Sequence, residues 1–206
     1  MKRAVIVFQK ALVLGEVKTR IAETLGAEKA LEIYKQLLAH THQVVDALEE
    51  TEVFIFQNKF DSERPSSLLS NKQIHLQKGQ DLGEKMKNAF SKVFQLGFEQ
   101  VIIIGTDCLE LTPQHLKDAF QLLSNNSCVI GPAKDGGYYL LGLQKMIPLL
   151  FKGIAWSTAE VFNKTCEILM NSNQPYALIE SLSDIDTAHD WSEAQRRIHE
   201  NQDSFE

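Results

Sequence analysis

Four stretches of the 206-residue chain carry residue types that can do chemistry. Asp107 stands in G-T-D-C-L-E, directly after the apolar run Q-V-I-I-I at 100–104. A carboxylate at the end of an interior strand is poorly placed for solvent. It is well placed for a hard cation such as Mg2+ or Mn2+, which takes oxygen ligands and bridges substrate phosphates. The competing reading is a capping carboxylate before a helix at Thr112. Asp184 and Asp186, in S-D-I-D-T-A-H-D, are spaced by one residue. They could complete a metal site, or they could be N-terminal helix charges that favour the dipole.

The first strand is followed by K-A-L-V-L-G-E-V-K-T-R at 10–20. It combines Gly15, an approaching helix start and three cations, Lys10, Lys18 and Arg20. Free amides at a helix start attract anions, and the cations add charge against a diphosphate. An ordinary strand–helix turn with solvated lysines is the alternative. The loop is neither a Walker A motif nor G-x-G-x-x-G. The fourth stretch is P-A-K-D-G-G-Y-Y at 132–139, with Asp135, Gly136, Gly137 and Tyr138. A glycine pair lets backbone approach a ligand closely, and Asp-Gly between two apolar runs equally signals a hairpin.

These groups need elements to hold them. Short β-branched runs at 3–8, 52–57, 73–77, 100–104, 127–131 and 138–143 read as strands, most of them apolar on both faces. Apolar residues recur at three and four from Ala27 to Leu48, from Leu82 to Phe94 and from Leu116 to Leu123. That spacing predicts amphipathic helices. A helix is also expected over 17–25. Thr112-Pro113 opens one helix, Ser157 with Glu160 fits a capping box before another over 161–169, and Thr187 caps the last, with Trp191, Ala194 and Ile198. Residues 58–72 read as a surface loop, and residues 201–206 as a frayed tail. Strands alternating with helices predict an α/β fold with a mostly parallel central sheet. In such sheets ligands bind beyond the carboxyl ends of the strands, where three of the four stretches fall.

Composition narrows the class. Lys plus Arg total 21 against 27 Asp plus Glu, a net charge of −6, so no nucleic-acid partner is expected. No apolar run reaches the length of a membrane span or a signal-peptide core, which predicts a cytoplasmic protein with no membrane partner. Cys108, Cys128 and Cys166 lack metal or disulfide spacing. The six histidines show no ligand spacing and read as structural or surface groups. One domain over residues 1–206 is expected, and no motif speaks to oligomeric state.

The stretches above, together with D-L-G-E-K-M at 81–86 and W-S-T at 156–158, occur in an order that resembles a bacterial glycosyltransferase-like family. It lies within the GT-A superfamily of nucleotide-diphospho-sugar transferases, and some members are named for arsenosugar biosynthesis. The resemblance implies a three-layer Rossmann-like GT-A fold. The first loop, with Lys10, Gly15, Lys18 and Arg20, and Asp81 would face the nucleotide. Gly136, Gly137, Tyr138, Trp156 and Ser157 would face the transferred group or acceptor. Asp107 and Asp186 would hold Mg2+ or Mn2+, their side chains converging on one cleft with Asp184 pointing elsewhere. Four positions depart from the family pattern: Leu12, Leu14 and Leu109 stand where prolines are usual, and Gln80 replaces a glycine. Leu109 also denies Asp107 the partner carboxylate of a D-x-D pair.

The activity so implied is metal-dependent transfer of a sugar from a nucleotide-diphosphate sugar to a small-molecule acceptor. Asp107 and Asp135 are the catalytic candidates, Asp135 as the base for the acceptor hydroxyl. A nucleotidyltransferase, joining a nucleoside triphosphate to a phosphorylated small molecule and releasing pyrophosphate, would use the same loop and aspartates. A non-catalytic nucleotide-binding protein is the third reading.

Overall fold

A computed structural model describes residues 1–60 and 72–203. Most of the loop expected over 58–72, the end of the expected tail and the Ile198 side chain therefore lie outside the described residues.

Seven strands form one sheet: β1 (Arg3–Gln9), β2 (Thr51–Gln57), β3 (Gln73–Leu76), β4 (Gln100–Ile104), β5 (Cys128–Pro132), β6 (Tyr138–Leu143) and β7 (Tyr176–Leu178), in the spatial order β3-β2-β1-β4-β6-β5-β7. All neighbours pair in parallel except β6, which runs antiparallel to both β4 and β5. The reversal follows from chain length: five residues join β5 to β6, enough for a hairpin but too few for the crossover that parallel pairing needs. β7 was not expected. It is three residues long and only half-buried, so its apolar signal is weak.

Side chains alternate across the sheet. Ala4 and Ile6 of β1 and Val101 and Ile103 of β4 face one core, and Val5, Val7, Ile102 and Ile104 face the other. Helix α3 (Leu82–Gln95) and helix α5 (Val161–Asn171) cover the first face, joined by a 3-10 turn at Pro148–Phe151. Helix α2 (Ala27–Asp46) and helix α4 (Pro113–Leu123) cover the second. Helix α1 (Thr19–Leu25) and helix α6 (Ala188–Asp203) pack with α2 around a third cluster, built on Ile21, Ile33, Leu37, Ile185 and Trp191. This is the three-layer α/β arrangement the strand pattern implies.

Caps divide into those that formed and those that did not. Thr112 closes a capping box on α4 with His115, and Asp190 N–H donates to Thr187 Oγ1 at 3.2 Å at the start of α6. The box expected from Ser157 and Glu160 does not form. Ser157 adopts φ 63, and Glu160 precedes α5 with no side-chain cap. Helix α1 starts at Thr19, two residues later than expected, because Lys18 is left-handed. All three cysteines are buried and unpaired, and burial pushes the Cys108 thiol up to about 12, leaving no reactive thiol beside Asp107. Among the described residues, no helix is long and apolar enough to cross a membrane.

The carboxyl ends of β1 and β2 are tied by side chains. Gln9 Nε2 donates to Gln57 Oε1 at 3.0 Å, and His42 Nε2 donates to Gln9 Oε1 at 3.0 Å. Lys72 Nζ lies 3.1 Å from His42 Nδ1. Burial first, and then the Lys72 charge, pull the His42 imidazole down from 6.5 to about 4. Above pH 6.5 the ring is neutral folded or unfolded. Between pH 6.5 and 4 the unfolded chain takes up a proton the folded chain refuses, so stability falls as pH falls, by at most about 1.4 kcal/mol per unit. His42→Gln should be less stable than wild type at pH 7 yet lose less on acidification to pH 4. Urea denaturation at several pH values measures both.

Candidate active site

The site begins where β1 ends. Tyr34, on α2, reaches across to pin the first residue of the following loop: Lys10 N–H donates to Tyr34 Oη at 2.8 Å, and Tyr34 O–H donates to the Lys10 carbonyl at 3.2 Å. Burial pushes the phenol up to about 12, so it stays protonated. Ala11 N–H donates to Asn58 Oδ1 at 2.8 Å, and Glu16 N–H donates to the Val13 carbonyl at 3.1 Å. Gly15 sits in that turn at φ 80, a conformation glycine adopts without steric cost.

The turn delivers Lys18 to the start of α1 in a left-handed conformation, φ 46 and ψ 48. Non-glycine residues seldom adopt it, and such strain persists where surroundings over-determine it. Here they do: Lys18 Nζ contacts Asp107 Oδ1 at 2.6 Å and Asp186 Oδ1 at 3.3 Å, and donates to the Ile185 carbonyl at 2.6 Å. The Lys18 side chain is 6% exposed, against 44% for Asp107 and 41% for Asp186. Arg20 Nη1 lies 3.7 Å from Asp186 Oδ2 and is mostly in solvent.

Asp107 and Asp186 thus converge from positions 79 residues apart in sequence. The segment carrying Asp186 is laid across the sheet end by backbone bonds: Leu182 N–H to the Pro132 carbonyl at 3.1 Å, Lys134 N–H to the Leu182 carbonyl at 3.0 Å, and Ile185 N–H to the Asp107 carbonyl at 2.8 Å. Glu110 adds a side-chain anchor, accepting from Ser183 N–H at 2.8 Å and pairing with Arg197 of α6 at 2.6 Å. Capping of α6 falls to Thr187 and Asp190. Asp190 Oδ2 accepts from Thr187 N–H at 2.7 Å and from Asp186 N–H at 3.1 Å. The Asp186 carboxylate is left for Lys18.

Asp184 does not point elsewhere. It lines the same cavity as Asp186, because residues two apart in an extended segment face the same side. Burial, followed by the charges of Asp107, Asp135 and Asp186, pushes its carboxyl up to about 7, with Lys18 pulling the other way.

The opposite wall comes from the β5–β6 hairpin. Both readings of its glycines have a place in the structure. Gly136 N–H donates to the Ala133 carbonyl at 3.1 Å and closes the turn, while Gly137 N–H donates to Asp135 Oδ1 at 2.8 Å and orients that carboxylate. Gly136, at φ 92, has no room for a Cβ, which would overlap the Ala159 carbonyl. Its own carbonyl accepts from Phe162 N–H at 2.9 Å. Gly136 therefore seats the loop that carries Trp156 and Ser157. Gly83 plays the same part on α3, where a Cβ would overlap the Trp156 indole.

These walls enclose a cavity of about 700 Å3. Lys10, Lys18, Arg20, Asp107, Asp135, Asp184 and Asp186 line its polar part, and Phe8, Leu82, Met86, Tyr138, Trp156 and Val161 its apolar part. Gly137 and Ser157 also reach it. Three of the residues singled out from sequence lie outside its lining. Gly15 and Gly136 shape the loops behind it, and Asp81 caps α3, its Oδ1 accepting from Glu84 N–H at 2.8 Å. Tyr34, Asp184 and Glu110 were not expected as site residues. Tyr34 is one apolar position of a helical stripe by its spacing, and only Asp184 carried a signal, the i, i+2 spacing to Asp186.

Among the described residues, no three His, Cys, Asp or Glu side chains are grouped as around a metal ion. What the site does have is two carboxylate oxygens within 3.3 Å of one cationic atom, the Lys18 ammonium, which stands in for a cation. Hard oxygens of this kind suit Mg2+ or Mn2+, with phosphate oxygens and water completing the shell.

A mostly parallel sheet with one reversed strand, and a cleft at its carboxyl edge, belong to the GT-A nucleotide-diphospho-sugar transferase fold. Within it, the chain belongs to the family described as uncharacterized proteins conserved in bacteria (DUF2064), which it matches over residues 38–158. A candidate nucleotide-diphospho-sugar transferase from Desulfovibrio desulfuricans G20 is 30% identical, with a TM-score of 0.84 over 90% of this chain and 83% of that one. 4-Diphosphocytidyl-2C-methyl-D-erythritol synthase from Anaerococcus prevotii DSM 20548 shares the fold at 12% identity and a TM-score of 0.65, over 96% of both chains. So does Rv0371c of Mycobacterium tuberculosis H37Rv, solved in complex with manganese, at 10% identity and a TM-score of 0.58 over 94% of this chain and 97% of that one. No curated protein matches the sequence.

Removing the Tyr34 hydroxyl leaves Lys10 N–H without its partner. Tyr34→Phe should cost about 1–2 kcal/mol in chemical denaturation, with the fold retained by circular dichroism.

Proposed function

We propose that the protein transfers a sugar from a nucleotide-diphosphate sugar to a small acceptor, with Mg2+ or Mn2+ held by Asp107 and Asp186. One observation carries the reading: Lys18, Asp107 and Asp186, from three distant parts of the chain, meet in one cavity at the strand carboxyl ends. The 30% identical Desulfovibrio protein and its description support it.

Each side chain then has a task. Lys10, Lys18 and Arg20 bind the diphosphate through charge-assisted contacts. Helix α1 has only seven residues, so side-chain cations rather than a long helix dipole supply the positive field. A divalent ion, when bound, neutralises charge on the departing nucleoside diphosphate. Asp135 takes the proton of the acceptor hydroxyl as its oxygen forms the new bond to the sugar carbon, while the bond from that carbon to the diphosphate breaks. Asp135 Oδ1 is occupied by Gly137 N–H, so Oδ2 faces the acceptor. The apolar wall of Tyr138 and Trp156 excludes water and gives a ring a surface to lie on.

Incubation with nucleotide sugars and Mn2+, followed by chromatography, should show a nucleoside diphosphate appearing with acceptor. Release of pyrophosphate from a nucleoside triphosphate instead would assign the site to nucleotidyl transfer. In thermal-shift titrations, Asp107→Ala should abolish the metal-dependent part of nucleotide stabilisation and keep the fold. An unchanged metal-dependent shift would refute the metal assignment. Neutralising Lys18 and Arg20 together should weaken nucleoside diphosphate binding tenfold or more while sparing nucleoside binding, since charge-assisted contacts are worth about 1.5–3 kcal/mol each.

A further inference from the structure

Lys18 is almost wholly buried, yet it sits between two carboxylates that are each two-fifths open to solvent. With Asp107, Asp186 and the Ile185 carbonyl as partners, all three ammonium protons are engaged. The ammonium therefore occupies the two carboxylates that would hold a divalent ion. The ammonium and the ion cannot occupy the same space, and each weakens the hold of the carboxylates on the other. The lysine must leave for the ion to enter. Its backbone is strained as well: φ 46 is an uncommon value for a side-chain-bearing residue, held while the Asp107 and Asp186 contacts last. A diphosphate gives the ammonium somewhere to go, since Lys10 and Arg20 line the same cavity.

We propose that Lys18 is an exchangeable plug of the Asp107–Asp186 pair. In the free protein it holds the two carboxylates together. It yields them to the divalent ion when its ammonium moves onto the diphosphate of an incoming nucleotide. The exchange rests on the nucleotide-transferase reading above, and no covalent bond changes. Its consequence is ordered loading: the ion alone binds weakly, and ion and nucleotide each tighten the other, as reciprocity of coupled sites requires.

The test uses Mn2+ alone, with the free ion counted by electron paramagnetic resonance, and the full-length chain as wild type, K18M, K18Q and the double variant K18M/D186N. Circular dichroism follows the fold of each. K18M and K18Q should bind Mn2+ at least tenfold more tightly than wild type, and the double variant should lose that gain. No gain in either Lys18 variant overturns the proposal, as does a gain that survives D186N. Loss of fold in both Lys18 variants also overturns it, because Lys18 would then be a fixed structural clamp. If K18M gains Mn2+ while the wild type binds no nucleotide sugar, the transferase reading fails and the exchange at the two aspartates stands. If the wild type binds nucleotide sugars and K18M gains nothing, the plug alone fails.

Discussion

The constraint behind the site is charge neutralisation at one buried atom. The sheet brings Asp107 to the end of its central strand, and the 182–187 segment brings Asp184 and Asp186 beside it, with Asp135 facing them from the hairpin. Four carboxylates in one cavity repel, and burial first and then that repulsion raise the Asp184 carboxyl. Lys18 makes the cluster tolerable. A buried ammonium costs several kcal/mol of hydration, so its position depends on full satisfaction by Asp107, Asp186 and Ile185. The left-handed turn at Lys18, the Tyr34 clamp on the loop before it and the Glu110 anchor on the segment opposite are all arranged so that these partners meet.

The strands were the most legible part of the chain. Runs such as A-V-I-V and V-I-I-I have one reading when a parallel sheet buries both faces, and Ala4 to Val7 and Val101 to Ile104 alternate between two cores as that requires. Gln100–Ile104 and Tyr138–Leu143 begin and end where their apolar runs do. β7 escaped notice because it pairs through the backbone of a half-buried edge segment. The Ser157 cap does not form because Ser157 is left-handed, in a loop whose Ala159 packs on Gly136 of the hairpin.

Residue type marked most of the groups that line the cavity, since lysines and aspartates just past apolar strands have few structural duties there. What type and spacing did not reveal was who partners whom. Lys18 read as a phosphate ligand, and in the structure its partners are the two aspartates considered for a cation. Asp81 read as a nucleotide contact and is a helix cap. Asp184 does not point elsewhere as expected, because its spacing to Asp186 places both on one face. Such pairings are long-range: Lys18 and Asp186 lie 168 residues apart, beyond any local pattern.

That separation also sets an order of assembly during synthesis. β1, its loop and Lys18 leave the ribosome first, and β4 with Asp107 follows; the 182–187 segment emerges only after most of the sheet exists. Closing a loop of this length carries an entropic cost that the local hydrogen bonds at Leu182, Ser183 and Ile185 must offset in one docking event. Until then Lys18 has one of its two carboxylates and lacks the Ile185 carbonyl, and the third core cluster, built on Ile185 and Trp191, is open. The C-terminal segment is thus the latch of both the core and the cleft, and a nascent chain cannot present a finished site before its fold is nearly complete.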